Sequence, residues 1–152
     1  MYNGLIDEWL SRLKQSGYRL TRSCRAIIET IVSSSRALDA TTIFDLVRKS
    51  NPDMGLVTVY RTLQKLEDLE LVQRVHYLDG CHRFLPAAHG HQHLLICTRC
   101  GNYVMFSGDN LDSLISRVRQ DSGYQISNHW LQFFGLCPQC QFEMNTLPTL
   151  EN

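Results

Sequence analysis

Two Cys-x-x-Cys pairs constrain the fold of this chain more than any other feature of its sequence. Cys97 and Cys100 form the first pair, Cys137 and Cys140 form the second, and 36 residues separate them. Four thiolates are the soft donor set that holds Zn²⁺ in a closed, tetrahedral structural site. A redox pair of the thioredoxin type is the alternative, but one redox motif needs no second pair. The spacing therefore predicts a structural zinc site with a folded segment between the pairs.

The remaining composition narrows the class of protein. A length of 152 residues is enough for one or two small domains. Asp7 and Glu8 interrupt the apolar N-terminal segment, which therefore lacks the pattern of a secretory signal. Six cysteines without an export signal favour a reducing compartment and metal ligation over disulfides. We expect a cytoplasmic protein with no membrane partner.

The first 70 residues predict four helices. The first ends at Gly17, Thr21 caps the second, and Asp39 or Thr41 opens the third. The fourth follows Gly55, and its polar side carries Thr58, Arg61, Thr62 and Lys65. Most such polar stripes are solvated helix faces. Here the stripe follows a short helix and a tight turn, which favours a helix-turn-helix that places this helix in the major groove of DNA.

A hairpin is predicted next. Residues 71–78 and 81–85 flank Asp79-Gly80, which is typical of a two-residue type I′ turn. That turn places His76 opposite Arg83. A helix-turn-helix followed by a hairpin is a winged helix, so we predict a DNA-binding domain at 1–85 and a link at 86–88.

Residues 89–152 predict a small α/β domain. Alternating apolar residues indicate strands at 91–96 and 103–106, and a third strand at 124–134. A helix is expected between them, starting after the capping pair Asp109-Asn110 and ending at Gly123. The fold class is therefore α+β, with a winged-helix domain followed by an α/β dimerisation domain that holds the four-cysteine zinc site.

Three stretches, at 17–21, 51–63 and 91–101, occur in an order that resembles the ferric uptake regulator family of metal-responsive repressors. The resemblance implies a homodimer that binds double-stranded DNA at an A·T-rich inverted repeat when metal is bound. Where the family usually has Pro-Gln-Arg, this chain has Arg22, Ser23 and Cys24, followed by Arg25. The basic contact to DNA is therefore expected from Arg22 or Arg25.

The resemblance also assigns roles within the fourth helix. It implies that Tyr60 contacts thymine methyl groups and that Arg61 binds a phosphate. The complete set of predicted DNA-binding residues is Arg22, Arg25, Thr58, Tyr60, Arg61 and Lys65.

A regulatory metal site is predicted from spacing relative to Cys97. In the family's pattern, ligands stand six and four residues before this cysteine and fifteen and thirty-two after it. Those positions hold His91, His93, Asp112 and His129. Three imidazoles and a carboxylate suit Zn²⁺, Fe²⁺, Mn²⁺ or Co²⁺, because nitrogen and oxygen donors discriminate poorly among these ions, and we expect Zn²⁺ or Fe²⁺.

The family's second, inter-domain site is altered here, since Leu85, Gln92, Leu94 and Met105 occupy its usual positions. A replacement set is His76, Cys81 and His89. With the predicted turn, His76 and Cys81 share one face of the hairpin as diagonal neighbours, and His82 points to the other face. The alternative is that Cys81 is merely a small packing residue.

Three functions remain open at this point. The first is a metal-dependent repressor of metal-uptake genes that responds to zinc, or otherwise to iron. The second is a peroxide or redox sensor on the same scaffold, using Fe²⁺ or the free thiols of Cys24 and Cys81. The third, a zinc enzyme, is disfavoured because four thiolates close the zinc site and no activated nucleophile or general base accompanies it.

Overall fold

The structure, a computed structural model, describes residues 2–77, 80–87, 92–107, 111–127, 129 and 131–146. The chain divides into two units, residues 1–87 and 88–152. The first unit contains α1 (Tyr2–Gln15), α2 (Arg22–Ser33), α3 (Ala40–Arg48), α4 (Leu56–Asp68), β1 (Val72–His76) and β2 (His82–Pro86). The second contains β3 (Gln92–Cys97), β4 (Tyr103–Ser107), α5 (Asp112–Ser122), β5 (Gln132–Gly135) and α6 (Pro138–Thr146). Within these described ranges, no helix has both the length and the apolar character needed to cross a bilayer.

The four helices of the first unit pack through the apolar faces that their spacing predicts. Trp9 and Leu13 of α1, Ile27 of α2, Ile43 of α3 and Leu63 of α4 are all fully buried in one core. Each large side chain that leaves water contributes roughly 1.5–3 kcal/mol, so this shared core is what orders the short helices.

Local signals fix where these helices begin and end. The Thr21 hydroxyl accepts a hydrogen bond from the Cys24 amide at 3.1 Å, and the Asp39 carboxylate accepts one from the Thr42 amide at 2.7 Å. Both residues therefore cap orphan donors at a helix N-terminus. Gly17 adopts φ +80° after α1, a conformation that glycine reaches without a Cβ clash.

β1 and β2 form an antiparallel ribbon beside the helices. Its outer edge is tied to the segment between α2 and α3, because the Leu38 and Phe84 amides each donate to the other's carbonyl, at 2.9 and 2.8 Å. Four helices followed by this ribbon make the predicted winged helix.

The predicted two-residue turn is wrong. His76 lies opposite His82, not Arg83, and the Tyr77 amide donates to the Cys81 carbonyl at 3.0 Å, so three residues, 78–80, separate this last bonded pair. Gly80 adopts φ +77° and its amide donates to the Tyr77 carbonyl at 3.0 Å, which is the pattern of a three-residue hairpin loop with a left-handed glycine. The glycine of the Asp79-Gly80 signal therefore occupies the third loop position rather than the second.

The second unit is built on a three-stranded sheet with the order β4-β3-β5. β3 runs antiparallel to β4 and parallel to β5, and Leu94 and Ile96 of β3 are buried. α5 ends at Gly123, as predicted, but its N-cap is Leu111, which makes no side-chain capping bond. The predicted caps, Asp109 and Asn110, lie outside the described residues.

At the end of the chain, one prediction is wrong and one helix was not predicted. The last strand covers only Gln132–Gly135 rather than 124–134, because β5 pairs with the last four residues of β3 alone. The chain then continues into α6, a helix that the polar sequence after Cys137 did not suggest. A signal was present, since Pro138 occupies the first helical position, where proline is favoured.

Candidate metal centre and nucleic-acid interface

The four cysteines of the second unit converge on one point. The sulfurs of Cys97, Cys100, Cys137 and Cys140 all lie within 4.8 Å of one another, and the Cys100 and Cys137 sulfurs are 3.7 Å apart. Tetrahedral Zn²⁺ with bonds of about 2.3 Å to sulfur separates its ligands by about 3.8 Å. The donor set and its spacing therefore fit a structural zinc ion.

Strand and turn geometry bring the two pairs together. β3 ends at Cys97, and Gly101 turns the chain back in a left-handed conformation, with its amide 3.0 Å from the Cys97 carbonyl. Parallel pairing sets Gly135 beside Cys97, and the Thr98 amide donates to the Gly135 carbonyl at 2.8 Å. The second pair begins two residues after Gly135, so the register of β5 places it next to the first pair.

Protein groups alone, without a metal ion, stabilise negative charge on the sulfur of Cys97. Burial acts to raise the pKa of Cys97, but the backbone amides of Cys100, Cys137 and Arg99 point at its sulfur and lower the pKa to about 6. Burial and the neighbouring cysteine side chains raise the pKa of Cys140 to about 12. Thiols this close cannot all ionise without a cation, which is what a divalent metal supplies.

Arg99 links the first cysteine pair to α6. Its guanidinium donates to the Cys140 carbonyl at 3.2 Å and lies 3.3 Å from a carboxylate oxygen of Glu143. The side chain thereby spans the cluster from the first pair to the helix that carries Cys140. Sequence reasoning missed this contact because Arg99 and Glu143 are 44 positions apart and both are exposed.

Part of the predicted regulatory site is assembled. His93 is only 3% exposed, and its ring centroid lies 5.6 Å from that of His129 and 5.5 Å from that of Phe106. His129 precedes β5 instead of lying inside a strand. Asp112 is the exposed first residue of α5, and His91 lies outside the described residues.

Only the four cysteines, among described residues, form a metal-sized cluster of three or more ligating side chains. The structure thus brings His93 and His129 together but does not gather them with Asp112 into such a cluster. The four-residue regulatory set stays a prediction.

The predicted second sensing site loses its geometric basis. In the observed register His76 faces His82, and Cys81 lies opposite Tyr77. Since neighbouring side chains of a strand point to opposite faces, Cys81 does not share a face with His76, and the prediction that it does is wrong. The prediction that His82 points away from His76 is also wrong. His89 lies outside the described residues.

α4 presents an exposed stripe that differs from the predicted one. Thr62 is only 5% exposed, and Thr58 and Lys65 are half-buried, so the polar stripe at Thr58, Arg61, Thr62 and Lys65 is not the outer face. The Lys65 ammonium sits 5.1 Å above the Tyr18 ring. The outward side chains are instead Val57, Tyr60, Arg61 and Gln64.

Two apolar side chains and one basic side chain lie next to one another on that exposed stripe. Val57 is 61% exposed and Tyr60 is 54% exposed, one turn apart, with the exposed Arg61 beside them. Sequence reasoning missed Val57, although its position three residues before Tyr60 places both on one helix face. This surface offers methyl and aromatic groups beside one positive charge.

The two other arginines predicted to contact DNA lie on α2. Arg22 is the exposed first residue of this helix, and Arg25 is exposed one turn later, where it lies 3.6 Å from Glu29. An exposed ion pair of this kind is worth little, so it does not prevent Arg25 from turning to a phosphate.

A winged helix joined to an α/β unit with a four-thiolate cluster defines a class, that of metal-binding DNA-binding regulators. The comparison with known families specifies it further: the model of the "Ferric uptake regulator family" matches residues 15–134. The chain belongs to the ferric uptake regulator family, whose members are metal-responsive transcriptional regulators rather than enzymes.

Sequence similarity to individual proteins supports that membership. The chain is 33% identical over 140 residues to the ferric uptake regulation protein of Bacillus subtilis, which covers 89% of this chain and 93% of that protein. It is 27% identical over 140 residues to the peroxide-responsive repressor PerR of Staphylococcus epidermidis, covering 92% and 93% of the two chains.

Solved structures share the fold. A zinc uptake regulator complexed with zinc and DNA matches with a TM-score of 0.72 at 19% identity, covering 95% of this chain and 98% of that one. The Helicobacter pylori ferric uptake regulator matches with a TM-score of 0.69 at 19% identity, covering 93% and 94%. At this identity the likeness concerns the fold alone.

Proposed function

We propose that this protein is a metal-dependent DNA-binding repressor of metal-uptake genes, with a structural zinc at the four cysteines and zinc as the sensed ion. The observation that carries the sensing role is the buried His93 beside His129, in the same unit as the cysteine cluster but outside it. The pair brings two imidazole rings close together, and imidazole nitrogen is the commonest metal ligand in proteins, so an ion completed by His91 and Asp112 is the proposed occupant.

Zinc is supported by the affinity order of the divalent metals. Nitrogen and oxygen donors discriminate poorly among these ions, but the general order of divalent-metal affinities still ranks Zn²⁺ above Fe²⁺ and Mn²⁺ at a given site. The thiolate of Cys81, which would have strengthened this preference, lies on the wrong face of the ribbon to join His76. The argument for zinc therefore rests on the imidazoles.

An iron- or peroxide-responsive repressor is the second candidate. The named relatives include a ferric uptake regulation protein and a peroxide-responsive repressor, and the same imidazole and carboxylate donors accept Fe²⁺. A thiol-based sensor has less support, because Cys24 is buried and burial raises the pKa of its thiol, which suppresses the reactive thiolate. Cys81 is exposed.

DNA reading is assigned to the exposed stripe of α4. Val57 and Tyr60 present apolar surface to thymine methyls, and Arg61, Arg22 and Arg25 supply charge for phosphates. We therefore propose an A·T-rich inverted repeat as the operator.

A homodimer is proposed from the sheet of the second unit. Leu95 of β3 lies in register with Val104 of β4 and Phe133 of β5, and all three side chains are exposed. A row of large apolar side chains across three strands is costly to leave in water, and a second copy of the chain covers it. A twofold dimer then matches the inverted repeat.

Metal responsiveness follows if the ion binds the DNA-competent conformation better than the other conformations. The population then shifts by no more than that difference in affinity, and operator DNA must tighten metal binding by the same factor.

The test is an operator-binding titration with zinc-loaded protein under anaerobic conditions, with Zn²⁺, Fe²⁺ or Mn²⁺ added at buffered free concentrations. Zinc at the lowest free concentration should induce binding. Induction by Fe²⁺ alone, with release on peroxide treatment, would select the second candidate. DNA binding that ignores every metal would refute both.

A further inference from the structure

Two histidines face each other near the end of the hairpin. His76 is the last residue of β1, His82 is the first residue of β2, and they are direct partners in the register. Their ring centroids are 4.5 Å apart with the ring planes at 89°, and both residues are exposed. We call them the wing histidine pair.

The closeness of the pair follows from the hydrogen-bond pattern of the ribbon. The Tyr77 amide donates to the Cys81 carbonyl at 3.0 Å, so Tyr77 and Cys81 form a hydrogen-bonded pair. In antiparallel strands these pairs alternate with non-hydrogen-bonded ones, in which the Cα atoms approach to about 4.5 Å and the side chains lie closest. The wing histidine pair occupies such a close position, and the backbone holds it there.

We propose that the wing histidine pair is a binding site for a divalent transition-metal ion that prefers imidazole nitrogen, with water completing the coordination. A ligating nitrogen lies about 2.0–2.1 Å from such an ion, which puts each ring centroid roughly 3.2 Å from it. If the two nitrogen–metal bonds make an angle between a right angle and the tetrahedral angle, the two ring centroids are about 4.5–5.2 Å apart. The observed 4.5 Å lies at the edge of this range.

Little rearrangement is needed to form the site. The rings meet edge to face, and the terminal side-chain torsion of histidine is broad, so an exposed ring turns its nitrogen toward a shared ion without disturbing the strand. Neutral imidazole is the commonest metal ligand in proteins.

The charged neighbour on the same face does not oppose a cation. Arg74 is two residues before His76, but its guanidinium makes two hydrogen bonds to the Glu67 carboxylate, at 2.9 and 2.6 Å, and lies 5.5 Å from the centroid of the Phe84 ring. Its charge is thus compensated within the unit. An ion at the pair would join the two strands of the ribbon just before the loop at 78–80.

This site is separate from both metal positions of the second unit. It uses neither the four cysteines nor His93 and His129, and its two ligands lie in one unit. It also differs from the set His76, Cys81 and His89, because Cys81 points away from the pair. The inference therefore stands whether or not the protein senses zinc.

The experiment is a calorimetric titration of Ni²⁺ into full-length, zinc-loaded protein that carries His129→Ala to weaken the predicted regulatory site. His76→Gln and His82→Gln are compared in this background, with Cys81→Ser as the matched control on the same hairpin. We expect each glutamine variant to bind one ion fewer per chain, or to bind it about tenfold or more weakly, since losing even an outer partner of a metal ligand costs about 10–100-fold. Cys81→Ser should bind as the background does.

Two outcomes would overturn the proposal. One is Ni²⁺ binding that is unchanged in both glutamine variants. The other is loss of the ion in Cys81→Ser with the histidine variants unaffected, which would restore a thiolate site. All variants should retain their four-cysteine zinc and helical circular dichroism, so that a change in Ni²⁺ binding reports the ligands alone.

Discussion

The four-cysteine cluster and the His93–His129 pair lie in the same unit but are built in different ways. All four sulfurs of the cluster are described and lie within 4.8 Å of one another. The two imidazoles are 5.6 Å apart by their ring centroids, and Asp112, their predicted partner, is the exposed first residue of α5. The cysteine cluster is closed by its own residues, whereas the proposed regulatory site needs ligands beyond the two imidazoles.

This difference suits the cysteine cluster to a structural role and the histidine pair to the proposed sensing of metal. A site with four converging thiolates binds its ion as part of folding, and that ion has little effect on later conformational choices. A site whose ligands come from several segments changes the relative positions of those segments when it fills. A response to metal concentration therefore fits the histidine pair better than the cysteine cluster.

The largest expected effect comes from opening the closed site. Cys100→Ser removes one of four thiolates and leaves three closely spaced sulfurs that repel each other once ionised. Zinc should be lost, and the melting temperature should fall by more than about 10 °C. Metal analysis and calorimetry of purified protein measure both, and a variant that keeps its zinc and its stability would show that the cluster is no anchor.

The histidine pair should behave in the opposite way. His129→Ala should keep the structural zinc and the fold but remove the metal dependence of operator binding, a loss of about 5–150-fold in affinity at saturating metal. Fluorescence anisotropy with and without added metal measures this. If metal still strengthens binding in this variant, sensing belongs to other residues.

A third change addresses the proposed DNA-binding surface of α4, to which neither the cysteines nor the histidine pair belong. Arg61→Ala removes an exposed charge from α4 and should weaken binding to operator and random DNA alike. The slope of log affinity against log salt should become shallower by about 0.9. Asp45, exposed on α3, offers a control through Asp45→Ala, and an unchanged slope in Arg61→Ala would mean that this side chain contacts protein instead.

The smallest effect is expected at the edge of the closed site. Arg99→Ala removes the contacts to Cys140 and Glu143, but the side chains are substantially exposed, so the loss is at most about 1 kcal/mol. The melting temperature should fall by about 2–4 °C or less, and a chelator should extract zinc somewhat faster. Glu143→Gln removes only the ion pair and keeps the bond from Arg99 to the Cys140 carbonyl, so it separates the two contributions. If Arg99→Ala lost zinc as completely as Cys100→Ser, Arg99 would have more than a supporting role.

The same contrast explains what the sequence could predict. The cysteine cluster was predictable because each pair is local and its spacing is imposed by the metal. Helices α1 to α5 followed from apolar periodicity, and the caps Thr21 and Asp39 from capping chemistry. Contacts between distant segments, such as that of Arg99 with Glu143, produce no regular spacing in the sequence and could not be predicted from it. The hairpin register was missed because Asp79-Gly80 is compatible with both a two-residue turn and a three-residue loop, and a shift of one residue exchanges the faces of every side chain.

The bridge between Leu38 and Phe84 has a consequence for the thermodynamics of DNA recognition. Its two hydrogen bonds, at 2.9 and 2.8 Å, hold the ribbon against the segment that leads into α3 before any DNA is bound. A recognition surface that is already ordered loses less conformational entropy on binding than one that must fold on its target. The winged-helix unit should therefore bind with a small ordering cost, and the slow amide exchange expected at Leu38 and Phe84 should be nearly the same in free and DNA-bound protein.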